Sequence, residues 1–237
     1  MSQSRLKNFH HQIVDAIGSS IVAGEFAEGE QLPTEDQLAQ TYGASRLSIR
    51  EAMKSLASKG LVSIRPRTGT HVQYRQEWNL FDSAVLAWYG NLPSDRKLLE
   101  DLMELRQAIE PVAAKLAAKR AQPQEIDAIR NAFSAMEKAE NKQSYIDADL
   151  LFHDAVIRSS GNQFMIQLGT ALSAVWRTSF QASSDDWGPD PQALALHRAL
   201  LEAITEKRSA SAEQAVLALI RRASSRIEQA LDTVAQR

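Results

Sequence analysis

Asp149 and His153 stand four residues apart in the stretch SYIDADLLFHDAVI, on the stripe formed by Ile146, Phe152, Val156 and Ile157. In a helix that spacing sets a carboxylate and an imidazole side by side on a face that is otherwise apolar. His197 falls on a second apolar stripe, with Leu194, Leu200, Leu201 and Ile204, and Arg106 lies between Leu102 and Ile109 on a third. Charged side chains are rarely buried without a partner, so these residues must meet one another, a ligand or a metal. One reading is a self-contained polar network, with Asp149 holding His153 and Arg106 paired to Glu110 one turn on. The other is a binding site. An aspartate with two histidines suits Zn²⁺, Ni²⁺ or Mn²⁺, and Arg106 could take a carboxylate as a bidentate pair. Arg177, next to Trp176, could do the same or could simply be solvated. A metal with an open position could also activate water, which admits a metal-dependent enzyme acting on a small carboxylate. No general base stands beside these residues beyond the ligands themselves.

The elements that must position these side chains are helical. From residue 95 to residue 237 every long segment has helical period and none alternates as a strand does. Short polar breaks such as Ala121-Gln122-Pro123 and Ser160-Gly161-Asn162 divide the stretch into about six helices, which predicts a bundle.

A different chemistry is written between Leu32 and Val72. Thr34 and Glu35 after Pro33 open one short helix, Tyr42-Gly43-Ala44 forms a tight turn, and Ser45 is placed to cap a second helix over about 46–58. Ile49, Met53 and Leu56 form that helix's buried stripe, which leaves Ser45, Arg46, Ser48 and Arg50 near its N-terminus on the outer side. These are the positions at which a recognition helix meets base edges and phosphates. Gly60 suits a helix stop. After it, LVSIRPRTGTHV reads as two strands around a turn whose Arg65, Arg67, Thr68 and Gly69 can reach the DNA backbone. The formal net charge of the chain is −2, so its global balance does not suggest nucleic acid. Between residues 46 and 75, however, seven Lys and Arg stand against Glu51 alone, which marks a local basic patch on a mildly acidic body.

Taken in order, Gly24, Phe26, Gly29, Leu32-Pro33-Thr34-Glu35, Ser45-Arg46, Arg50-Glu51-Ala52 and Gly69-Thr70 resemble the N-terminal signature of the GntR family of bacterial transcription factors. The D-x-x-F-H run at Asp149 to His153, Ser160-Gly161-Asn162, the H-R-A-L run at His197 and the E-L-R-x-x-x-E-P run at Glu104 to Pro111 resemble the helical effector (FCD) domain of its FadR-type subfamily. The resemblance implies a homodimeric regulator that binds a double-stranded, palindromic operator. It also implies a divalent metal on Asp149, His153 and His197. Two departures qualify it. Arg222 stands where the family has a fourth metal-binding histidine, and a guanidinium cannot coordinate a cation. Either three residues hold the metal with water or effector, or the metal is absent and Arg222 helps bind an anion. In the DNA-binding part, Asp36 replaces an arginine that reads bases in the fatty-acid-responsive member, and Arg67 replaces a glycine common in the wing.

Trp78, Asn79, Asp82, Val85, Leu86 and Trp88 resemble the linker of the branch that responds to D-galactonate and other sugar acids, which implies a small polyhydroxy carboxylate as effector. A fatty acyl or other carboxylate ligand is the nearer alternative, and an architectural DNA binder with no effector is the more distant one. The expected organisation is a mostly α chain in three parts. Residues 1–75 form a winged helix-turn-helix with a small β-wing, 76–94 a linker helix and loop docked on the second domain, and 95–237 the helical bundle. With 237 residues and 44% hydrophobic content, real cores are within reach. The chain has no cysteine, no apolar run of membrane-spanning length and no signal-peptide core in MSQSRLKN, so no membrane partner and a cytoplasmic location are expected.

Overall fold

The structure, a computed structural model, describes residues 2–90, 92, 95–182 and 190–235. It divides into two compact units, Met1–Leu92 and Pro93–Arg237.

In the first unit, α1 (Ser2–Val22) buries Ile13, Val14, Ile17, Ile21 and Val22 along one side. The helix-turn-helix follows as α2 (Glu35–Thr41) and α3 (Arg46–Ser58). Thr34 caps α2 and Gln37 completes a capping box, while Ser45 caps α3 by accepting from the Ser48 amide. The buried stripe of α3 is Ile49, Ala52, Met53 and Leu56. Gly60, with φ of 77°, turns the chain out of α3, and a Cβ there would lie 2.3 Å from the Glu77 carbonyl oxygen. The wing is an antiparallel hairpin of β1 (Val62–Arg65) and β2 (Gly69–Val72), in which Val62 faces Val72 and Arg65 faces Gly69.

The apolar stretch read as a linker belongs to the first unit. After a single 3-10 turn (Arg75–Glu77), α4 (Ser83–Tyr89) packs on α1. Asp82 caps α4 through the Ala84 and Val85 amides and binds Lys59 Nζ at 2.8 Å through each of its carboxylate oxygens. Trp88 lies against Gly18 and donates from Nε1 to Asp15 Oδ1 at 3.2 Å. The physical reason is complementarity: α1 offers a residue without a side chain where the indole must fit. In the loop read at 90–94, positions 91, 93 and 94 lie outside the described residues.

The second unit is a bundle of six helices among the described residues. These are α5 (Arg96–Arg120), α6 (Pro123–Glu137), α7 (Lys142–Ser159), α8 (Gln163–Ala182), α9 (Pro191–Thr205) and α10 (Ser209–Ala235). Helix α5 lies against α10 and α7, α6 against α7, and α9 against α10. Their shared core includes Leu99, Met103, Ile129, Phe133, Phe152, Leu200, Val216 and Ile220. Three of these helices open on a polar cap: Asp95 caps α5, Asn141 caps α7, and Asp190 with Pro191 opens α9.

A Gly18→Val substitution places its Cβ within 2.4 Å of the Trp88 ring, so α4 must leave its seat on α1. The expected cost is about 1–3 kcal/mol, read as a lower unfolding temperature by calorimetry, while Gly24→Val, which meets nothing within 4 Å, bears only its backbone strain.

Candidate functional site

Four helices of the second unit bring their buried polar side chains to one place. α7 contributes Asp149 and His153, α9 contributes His197, α5 contributes Arg106 and Glu110, and α8 contributes Ser179 and Phe180. Arg106 is 2% exposed, and so is Glu110. Arg106 donates from Nε to Glu110 Oε1 at 2.5 Å, and its guanidinium lies 4.5 Å from the centre of the Phe180 ring. The other Glu110 oxygen faces His153 Nδ1 at 2.7 Å. Asp149 Oδ1 then lies 3.4 Å from His153 Nε2 and 2.9 Å from His197 Nε2. His197 Nδ1 is 2.8 Å from the Ala193 carbonyl oxygen, which can only accept, so this nitrogen carries the hydrogen.

The charges are set by their neighbours. Burial alone would raise the Glu110 carboxyl, but Arg106 and His153 outweigh it and bring its pKa down to about 2. Burial likewise opposes a charged His153, and Glu110 and Asp149 overcome that, holding it up at about 9. Asp149 is kept below the usual carboxylate range despite its burial, by His197 and His153.

This donor set fits a divalent cation. Asp149, His153 and His197 each offer one ligand atom, and the three atoms lie within 4.8 Å of one another. Both imidazoles have their Nδ1 engaged from outside, by the Ala193 carbonyl and the Glu110 carboxylate, and both turn Nε2 toward the same Asp149 oxygen. That outer arrangement is the one that orients ligating histidines. A cation can be held only once His153 gives up its proton; with neutral imidazoles, Arg106, Glu110 and Asp149 sum to −1 and would leave a bound divalent ion in excess by a single positive charge.

The remaining expected residues lie elsewhere. Arg222, on α10, binds Asp190 Oδ2 from Nε at 2.5 Å and Gln192 Oε1 from Nη1 at 2.6 Å, and Arg226 reaches the same Asp190 oxygen at 3.1 Å. Arg177 is paired with Asp147 in a half-exposed groove between α7 and α8. The role of Glu110 as the partner of His153 was not legible from the sequence, where it stood only as a partner for Arg106. Ser179, 1% exposed and 3.4 Å from Arg106 Nη1, was missed as well; its one signal is a small hydroxyl beside Phe180 in VWRTSF.

In the first unit, Arg46 and Arg50 project from α3 with side chains 72% and 58% exposed. The Ser45 and Ser48 hydroxyls are 2.8 Å apart at the start of that helix. Arg65, Arg67, Thr68 and Gly69 are all exposed at the wing tip, and Arg67 takes a left-handed φ of 68°. The local excess of cations is smaller in space than along the chain. Arg46 pairs with Asp36, Arg50 with Glu35, Lys54 with Glu51, Lys59 with Asp82 and Arg75 with Glu28. Among the described residues, Arg65 and Arg67 meet no carboxylate.

A winged helix-turn-helix joined in one chain to a helical unit with a buried, ligand-competent polar centre defines a DNA-binding regulator with an effector domain. Residues 9–72 match the family model of bacterial regulatory proteins of the gntR family, and residues 101–222 match the FCD domain. The galactonate operon transcriptional repressor of Escherichia coli K12 is 33% identical over 220 residues, covering 92% of this chain and 96% of that protein. YieP, an uncharacterised HTH-type transcriptional regulator of the same organism, is 28% identical and covers 91% of this chain and 94% of its own length. The solved structure of Lar, which controls expression of the Listeria monocytogenes agr system, is alike in fold with a TM-score of 0.60 at 17% identity, over 93% of this chain and 96% of that one. The chain belongs to the GntR family and is a DNA-binding transcriptional regulator with an FCD domain, and the relatives that match both units are regulators rather than enzymes. Among the described residues no helix is long and apolar enough to cross a membrane.

Glu110→Ala would leave Arg106 as a buried charge without its carboxylate. We expect a loss of about 3–5 kcal/mol in stability, read as a lower denaturation midpoint, whereas Arg177→Ala, at a half-exposed pair, should change stability by less than about 1 kcal/mol.

Proposed function

We propose that this protein is a repressor of a sugar-acid catabolic operon, released from a palindromic operator when an aldonate or uronate binds in the FCD domain. The observation that carries the reading is the buried centre of Arg106, Glu110, Asp149, His153 and His197. It is ionic where a fatty acyl ligand would call for an apolar pocket. The similarity to a galactonate operon repressor over nearly the whole chain supports the same class of effector.

In this reading Asp149, His153 and His197 hold a divalent ion, Zn²⁺, Ni²⁺ or Mn²⁺, which supplies Lewis acidity and positive charge for a carboxylate and its neighbouring hydroxyl. Arg106 adds a fixed cation behind the site, Glu110 orients His153, and the aromatic edges of Phe152 and Phe180 exclude water from the imidazoles. Arg222 and Arg177 complete the effector-binding set only if an incoming anion takes the place of Asp190 or Asp147. The protein acts as a homodimer, so that two copies of α3 meet two half-sites, with Thr34, Ser45, Arg46, Ser48 and Arg50 on the reading face and Arg65, Arg67, Thr68 and Gly69 on the backbone. The effector releases DNA only by binding the free and DNA-bound states with different affinity.

Fluorescence anisotropy on the upstream intergenic DNA, titrated with aldonates, uronates and acyl thioesters, tests the proposal; release by acyl thioesters alone would refute it. Asp149→Ala and His153→Ala should keep operator affinity within about threefold and abolish release by the sugar acid, and a normally inducible variant would remove these residues from the pocket. Arg50→Ala and Arg65→Ala should each weaken operator binding by roughly tenfold, with circular dichroism unchanged.

A further inference from the structure

The two arginines on the reading face are each met by an acid from the first turn of α2, and they are met differently. Glu35 grips Arg50 along one whole edge of its guanidinium. Nε lies 3.1 and 3.2 Å from the two carboxylate oxygens, and Nη2 lies 2.8 Å from Oε2. These hydrogen bonds hold the Glu35 carboxyl below its usual range. Asp36 instead meets Arg46 at Nε. Both acids are open to solvent, with side chains 36% and 55% exposed, so neither is needed to neutralise a buried charge. The four groups sum to zero on a surface that must approach phosphates, where each carboxylate costs affinity for any duplex.

We propose that Asp36 is a specificity-determining residue: it holds Arg46 by Nε, leaving the two terminal nitrogens as a free fork for the N7 and O6 acceptors of one guanine in the major groove. That fork is the commonest base-specific contact a side chain makes. Arg50 is anchored by Glu35 through Nε and Nη2, which leaves its Nη1 hydrogens and the second Nη2 hydrogen turned away from the carboxylate. The negative charge of Asp36 also disfavours the competing pose in which Arg46 swings to a phosphate. Specificity thus comes from penalising the wrong contact as well as from making the right one. The inference rests on the assignment of Ser45, Arg46, Ser48 and Arg50 as the reading face.

The test uses the full-length protein. The tightest duplex is selected from a randomised library by the wild type. Binding to it, to each of its single-base-pair variants and to an unrelated duplex is then measured by anisotropy over a range of salt concentrations, for wild type, Asp36→Ala, Arg46→Ala and the double variant. Asp36→Ala should bind the unrelated duplex more tightly, with a salt dependence steeper by about one counterion. It should also lose about tenfold of its discrimination at a single base pair, the one whose substitution no longer matters to Arg46→Ala. The double variant should discriminate as Arg46→Ala does. If Asp36→Ala changed affinity for every duplex by the same factor, or if its effect were independent of Arg46, the specificity role would be overturned. An Arg46→Ala protein with wild-type affinity and discrimination would bring down the reading-face assignment itself, and the role of Asp36 with it.

Discussion

The helical unit turns on one carboxylate. Glu110 divides its two oxygens between the Arg106 guanidinium and the His153 ring, and each of these would be an unaffordable buried charge or a misdirected donor without it. Because Glu110 takes His153 Nδ1, the opposite nitrogen is turned to Asp149, and Asp149 gathers His197 from α9. One chain of hydrogen bonds therefore ties α5, α7 and α9 into a single polar centre inside an apolar core. Such a network is stiff, since any member left unpaired costs a large part of the domain's net stability.

Electrostatics on the first unit follow the opposite logic. The proposed reading face is exposed and its ion pairs are individually weak, so they contribute little to stability. The acids of α2 neutralise the arginines of α3, while Arg65 and Arg67 at the wing tip keep their full charge for the phosphate backbone. The left-handed backbone at Arg67 is the strained position of the wing, and it places a cation where a glycine would sit without strain. On the reading proposed above, affinity comes chiefly from the wing and base discrimination from the helix, a separation that lets a chain of net negative charge bind DNA selectively.

Local rules were enough for much of this. The helix over 46–58, its Ser45 cap, the Gly60 stop and the wing hairpin follow from periodicity and turn chemistry, and so do the six helices of the bundle. The polar residues on apolar stripes marked Asp149, His153, His197 and Arg106 as a group, because burial leaves such side chains few alternatives. Partners separated in sequence were less visible. Trp78 and Trp88 signalled burial, which was read as docking on the second domain, and it is the space above Gly18 that seats Trp88 on α1.

The sequence by itself determined the element types, the two kinds of chemistry and which side chains had to be buried, since period, caps and polarity act over a few residues. The tertiary structure alone decided the pairings. Glu110 reaches His153 from 43 positions away, Arg222 is drawn to Asp190 across 32, and Asp36 lies against Arg46 only because the turn at Gly43 folds α2 back beside α3. Charge pairing depends on distance in space and on local solvent. Neither can be read from position along the chain.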